Sequence, residues 1–343
     1  FRRNDMRGVT FPGNRQAEIR EFPDPHAGPG EAVLKVRASG LCGTDLHRYR
    51  AEAPTEMITG HEPCGVIEEL GPGAAPGIKV GDRVICHHYA GCGVCEICAM
   101  GYEQLCPQGR ITYGGGTGHG ANADYILVPS RTLVLLDDEL SFEEGAAISC
   151  GTGTAWNGLK KMDISGRDVV AVFGQGPVGL SGTLSAKAMG ASVIAVDVVS
   201  ERLDLAKELG ADHVINSSEV DPVETILELT GGLGATASQE TSGNPTARQQ
   251  VLQCLRPFGR CCYVGIGGPA EIDFNRDVIF KVATIFGSWT FSKSELIEIE
   301  RFFVDTKAPL NKLITHRYTL DQAVQAFRDF DGARTGKCVL VME

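Results

Sequence analysis

Residues 169–179 read Val169-Val170-Ala171-Val172-Phe173-Gly174-Gln175-Gly176-Pro177-Val178-Gly179, and the following residues to Met189 carry apolar side chains at helical spacing. A β-branched run that ends in Gly-x-Gly-x-x-Gly and opens a helix predicts a phosphate-binding turn. Gly174 permits the tight turn, Gly176 lets backbone approach a pyrophosphate, and Gly179 allows close helix packing, while the helix N-terminus attracts the phosphates. The hexapeptide alone is a weak motif. Its context strengthens it, because the next strand, Val193-Ile194-Ala195-Val196, ends in Asp197, 18 residues past Gly179. That spacing is close to the roughly 20 residues expected of an acid that hydrogen-bonds ribose hydroxyls. A carboxylate there repels a 2′-phosphate, so NAD is expected rather than NADP; the alternative is a solvated Asp opening a turn.

Beyond Asp197, strand and helix patterns alternate through His213–Ile215, Pro222–Leu229, Ala235–Glu240, Thr246–Leu255 and Arg260–Gly265. This predicts an α/β unit with a doubly wound parallel sheet of about six strands. Before it, from about Val9 to Val128, short β-branched runs are separated by Gly/Pro clusters, which predicts an all-β, loop-rich unit with a boundary near residue 152. A length of 343 residues fits two domains at roughly 150 residues each. The tail, with helices around Ser294–Val304 and Leu320–Phe330 and a strand Lys337–Val341, could join either body.

Cys92, Cys95, Cys98 and Cys106 fall within fifteen residues. Four thiolates on a turn-rich segment can close a tetrahedral zinc site with no position left for substrate, hence a structural one; local disulfides or a redox dithiol are the alternatives. A dispersed set, Cys42, His61 and Cys150, offers two thiolates and one imidazole, with no local spacing to distinguish them from core cysteines and a loop histidine.

These sets, in this order, resemble the zinc-dependent medium-chain alcohol dehydrogenase family over nearly the whole chain, from Met6 to Glu343. The resemblance implies a GroES-like β-rich catalytic domain over residues 1–152, a Rossmann NAD-binding domain over 153–289, and a return of 290–343 to the catalytic domain. It implies two zinc ions per subunit: a catalytic one held by Cys42, His61 and Cys150 with the fourth place open, and a structural one held by the Cys92 quartet. Glu62 then corresponds to the acid beside the zinc histidine, and Asp45 to the carboxylate that orients that imidazole. Thr44 and His47 occupy the proton-relay positions, though His47 also reads as a surface histidine. Thr154 and Val178 match positions that pack on the nicotinamide. Arg202 matches the adenosine-ribose flank or, equally, an exposed helix charge.

The implied reaction moves a hydride between a primary or secondary alcohol and NAD; the alternatives are a polyol or sugar dehydrogenase with the same machinery, and a zinc-stabilised nucleotide-binding protein without turnover. Family members bound to polyols or threonine usually carry a glutamate as the third ligand, where this chain has Cys150. His88, Met57, Trp289 and Thr290 fall where substrate pockets are lined, or are packing residues. Cys64, Cys86, Cys254, Cys261, Cys262 and Cys338 read as small core residues.

Composition narrows the partners. With 32 basic and 43 acidic residues and no Lys/Arg block, the chain is not expected to bind nucleic acid or anionic membranes. Apolar runs of four or five residues are far short of the roughly 20 a membrane helix needs. The basic start Phe1-Arg2-Arg3-Asn4-Asp5-Met6 lacks an apolar stretch after it, so no secretory signal is expected, and twelve cysteines then suit a reducing cytoplasm. A homo-oligomer, a tetramer before a dimer, is expected from the resemblance.

Overall fold

The computed structural model describes residues 5–343; residues 1–4, part of the basic start, lie outside the described residues. Strand Glu31–Gly40 is the hub of the first sheet and pairs antiparallel with Pro63–Leu70, Tyr125–Pro129 and the tail strand Lys337–Val341. The sheet runs Ile314–Thr319, Lys337–Val341, Glu31–Gly40, Pro63–Leu70, Arg83–Cys86, Leu133–Leu135. Both of its faces are covered, and the strand period of two shows how. Val84 and Cys86 point into a cluster with Phe11, Tyr49 and Phe327, whereas Ile85 between them points into a second cluster with Ala146 and Ile148. Cys338 and Leu340 alternate with Val339 in the same way, so the tail belongs to this sheet by pairing and by packing.

The second sheet has six strands, all parallel, in the order His213–Asn216, Ser192–Asp197, Val169–Phe173, Ala235–Glu240, Leu255–Tyr263, Thr284–Gly287. The chain leaves Val169–Phe173 in one direction and returns to its other side at Ala235–Glu240. That reversal opens a crevice at the carboxyl ends of these two central strands, beside the glycine turn. Helix Pro177–Ala188 lies over the sheet, and its small residues bury nearly all of it; Ser181 Oγ donates to Pro177 O at 2.7 Å and Thr183 Oγ1 to Gln175 Oε1 at 2.9 Å, so these two buried hydroxyls are bonded, whereas that of Ser185 has no partner.

Between the sheets runs one helical stretch in three parts: Phe142–Ala147, a π turn Ile148–Thr152, and Gly153–Lys161. Ser141 starts it, with Glu144 completing a reciprocal cap. Residue 152, the expected edge of the first domain, is the last residue of that π turn and sits inside an unbroken helical run. One hydrophobic cluster spans the seam, holding Cys64 and Ile85 from the first sheet, Trp156 and Leu159 from the helical run, and Val170 and Val172 from the second sheet.

Candidate active site

Cys42 caps helix Gly43–Arg50, and Asp45 in its first turn does two jobs. One carboxylate oxygen accepts the Cys42 backbone N–H at 2.9 Å; the other takes His61 Nδ1 at 3.0 Å. Pinned through Nδ1, the imidazole keeps Nε2 free for a metal. Cys150 reaches the same point from the π turn, a helix irregularity that often accompanies functional positions. Its Sγ stands 4.0 Å from that of Cys42. Two sulfurs each about 2.3 Å from a tetrahedral ion lie about 3.8 Å apart, so the pair is spaced for one zinc.

One ligand atom from each of Cys42, His61, Glu62 and Cys150 falls within 4.8 Å of the others. The sequence reading kept Glu62 beside the triad; the fold brings its carboxylate within reach of the fourth position. The reading missed Lys337. This lysine is 1% exposed, donates to Leu41 O at 2.9 Å and forms an ion pair with Glu62. Burial pushes the Glu62 carboxyl up, with the ammonium of Lys337 opposing it. Lys337 stays cationic although burial works against it, because Glu62, Cys42 and Cys150 surround it. Its strand phase was the available clue: it shares the inward phase of Val339.

The four other cysteines form a separate lobe. Cys92 and Cys98 sulfurs are 3.9 Å apart, as are those of Cys95 and Cys106. Backbone N–H groups of Val94 and Cys95 pull the Cys92 thiol down to about 6, while burial pushes Cys98 up to about 12. Four thiols cannot all ionise at this spacing without a cation among them, and a zinc ion would supply that charge.

The glycine turn lies next to the first set. A Cβ added to Gly151 would stand 3.8 Å from Val178 Cγ2 and 3.9 Å from Lys337 Nζ, so the residue after Cys150 faces the turn at about one side-chain atom's distance. Gly174 has φ +88°, and a Cβ there would meet Ser242 at 2.7 Å, whereas a Cβ on Gly176 would meet nothing within 4 Å. The open position is the one where backbone must approach a pyrophosphate. Asp197 accepts backbone N–H bonds from Val198 at 2.7 Å, Val199 at 2.9 Å and, from the end of the neighbouring strand, Gln175. Its carboxylate therefore braces the glycine turn. Thr154 Oγ1 and Arg202 Nε are enclosed without hydrogen-bond partners, which a bound dinucleotide could satisfy. Burial lowers the Arg202 pKa against the opposing charge of Asp197. Thr44 Oγ1 lies 3.7 Å from Cys42 Sγ, and His47, one turn further along the helix, is exposed.

Two family profiles match: an alcohol dehydrogenase GroES-like domain over residues 28–138 and a zinc-binding dehydrogenase over 177–305. Over 98% of its length the chain is 37% identical to the uncharacterized zinc-type alcohol dehydrogenase-like protein YphC of Escherichia coli strain K12, covering 98% of that protein. The chain belongs to the zinc-dependent medium-chain alcohol dehydrogenase family. It is therefore an oxidoreductase of zinc-type dehydrogenase architecture, with a GroES-like unit and a Rossmann-type sheet. It is also 36% identical to L-threonine 3-dehydrogenase of Pyrococcus horikoshii, over 95% of both chains. Its fold superposes on alcohol dehydrogenase TADH from Thermus sp. ATN1 with a TM-score of 0.91 and 28% identity, over 98% of this chain and 100% of that one.

In this dehydrogenase His88 is buried and its Nδ1 donates to Ser149 O at 2.7 Å, next to Cys150. Burial holds its imidazole well below the usual range, in the neutral form. Trp289 is 38% exposed and Thr290 is buried at φ +55°. Met57 is half-buried in the loop before His61. Cys64, Cys86, Cys254, Cys261, Cys262 and Cys338 are fully buried, as core residues. No helix among the described residues is long and apolar enough to cross a membrane.

Proposed function

We propose that this dehydrogenase transfers a hydride between a primary or secondary alcohol and NAD, giving an aldehyde or ketone. The supporting observation is the adjacency of the two halves of the site: the donors Cys42, His61 and Cys150 adjoin Gly151, where an added Cβ would meet Val178 of the glycine turn at 3.8 Å. A carbon held by one half faces a dinucleotide held by the other.

Cys42, His61 and Cys150 would hold the reactive zinc and Cys92, Cys95, Cys98 and Cys106 the structural one, two ions per subunit. Gly174, Gly176, Gly179, Asp197 and Arg202 would hold NAD, with Val178 and Thr154 against its nicotinamide. Zinc, when bound, supplies the charge that lowers the proton affinity of the alcohol oxygen, and NAD accepts the hydride. Thr44 relays the hydroxyl proton outward and His47 passes it to solvent. Asp45 holds the His61 ring, and Lys337 holds the Glu62 carboxylate beside the fourth position.

The catalytic domain in this reading comprises residues 1–152 and 290–343, and the NAD-binding domain 153–289. Twelve free cysteines fit a reducing, cytoplasmic setting. Exposed Phe258, Phe274, Ile279, Phe280 and Val282 adjoin the edge strand Thr284–Gly287 and support self-association, as a tetramer before a dimer. The test is metal analysis with NADH formation on primary alcohols, secondary alcohols and polyols. The expectation is close to two zinc per chain and turnover of the first two classes; about one zinc per chain with no turnover would overturn it.

A further inference from the structure

Rings lead stepwise out of the metal-ligand set. His61 and His88 have centroids 5.8 Å apart, His88 and Tyr89 4.4 Å, and Tyr89 and Trp289 5.7 Å. The outermost step carries a cation: the Arg110 guanidinium carbon stands 5.0 Å from the Trp289 centroid and 5.8 Å from that of Tyr89. Each rung is fixed. Strand Tyr89–Ala90 pairs with Ile111–Thr112, which delivers Arg110 beside Tyr89. Gln104 Nε2 donates to Trp289 O at 3.3 Å and Phe291 O at 3.2 Å, and Asn157 Nδ2 donates to Thr290 O at 2.8 Å. Thr290, held at φ +55°, sets the turn that leaves the Trp289 ring partly exposed.

The other cations around the site are engaged by oxygen. Lys337 pairs with Glu62, Arg131 with Glu103 at 3.3 Å, and Arg48 donates to Gly115 O. Arg110 has no oxygen partner among the described residues. A guanidinium over aromatic rings is held by their quadrupoles, so its five N–H donors stay free for a planar anion. The chain has a formal net charge of −11, yet no carboxylate of its own occupies this cation.

We propose that Arg110 is a specificity-determining residue that selects alcohols bearing a carboxylate, with Trp289 and Tyr89 as its platform. The inference rests on the hydride-transfer reading above and deepens it to a substrate class, hydroxycarboxylates. In the reaction the carbinol C–H bond breaks and its hydride goes to NAD⁺. The hydroxyl proton leaves to solvent, and the product is the oxocarboxylate plus NADH, with the carboxylate unchanged on Arg110.

The test uses the zinc-loaded full chain with two matched pairs, sec-butanol against β-hydroxybutyrate and sorbitol against gluconate. The wild type is expected to prefer the anionic member of at least one pair in kcat/KM. Arg110→Gln is expected to lower that anionic-to-neutral ratio about 30-fold, through KM rather than kcat, and Arg110→Lys to lower it less. A second readout needs no turnover. Trp289 is one of two tryptophans and the more exposed one, so β-hydroxybutyrate without NAD should change the intrinsic fluorescence saturably, and Arg110→Gln should abolish the change. Turnover of the neutral members with a ratio unmoved by Arg110→Gln would overturn the inference and leave the hydride-transfer reading standing. NADH formation from no member of either pair, in folded and metal-loaded protein, would overturn both.

Discussion

The two cysteine clusters differ in how the chain assembles them. Cys92, Cys95, Cys98 and Cys106 come from one lobe, and two of them, Cys92 and Cys95, are only partly buried. Cys42, His61 and Cys150 come from a helix N-terminus, a loop and a π turn, with the Glu62 carboxylate among them and Asp45 and Lys337 packed around them. A local cluster is complete in its own segment and leaves no donor place free. A dispersed cluster depends on the whole fold, and the surroundings that orient its donors also bring the Glu62 carboxylate within reach of them.

That contrast can be broken or sharpened by mutation. Cys95→Ser is expected to lower stability by about 5 kcal/mol, a fraction of the 10–16 kcal/mol typical of closed zinc sites, with loss of one zinc in metal analysis. A denaturation midpoint equal to wild type would remove the lobe from the list of structural sites. Cys42→Ser should leave the fold intact yet reduce alcohol oxidation by about 10³-fold, equivalent to about 4 kcal/mol of transition-state stabilisation. Equal destabilisation by both substitutions, read from urea melts, would erase the division of roles. Lys337→Met strands a buried carboxyl group and is expected to cost about 3 kcal/mol, with Glu62→Gln in the same chain recovering most of it. A double-mutant cycle showing no coupling would mean the pair is dispensable. Asp197→Ala should raise the KM for NAD about tenfold, since it removes an anchor of the glycine turn and, in the proposed function, the ribose acceptor, and should relax the proposed bar against NADP. An unchanged preference between the two cofactors would confine Asp197 to bracing the turn.

The parts that were legible share a property: their residues act through neighbours in sequence. The glycine turn, the strand before it and Asp197 after it lie in one βαβ unit, and the observed sheet has the six parallel strands that the alternation implied. The Cys92 quartet is legible for the same reason. Cys42, His61 and Cys150 were not separable from core cysteines by spacing, and only the likeness to a family picked them out. Lys337 and Arg110 escaped altogether. Lys337 lies 296 residues from Leu41, whose carbonyl it meets, and Arg110 lies far along the chain from Trp289.

Composition, periodicity and short motifs in this chain therefore determined a β-rich unit followed by a doubly wound one, a glycine turn and a four-thiol lobe, because hydrogen-bonded turns and strand alternation depend on adjacent residues. Tertiary structure decided which sheet the tail strand joins, that Glu62 and Lys337 pair beside the dispersed donors, and that a lone guanidinium stands over two rings at the outer end of the site. Those outcomes depend on side chains brought together by packing, and no local pattern encodes a contact between residues whose separation is set by the cores on either side of it.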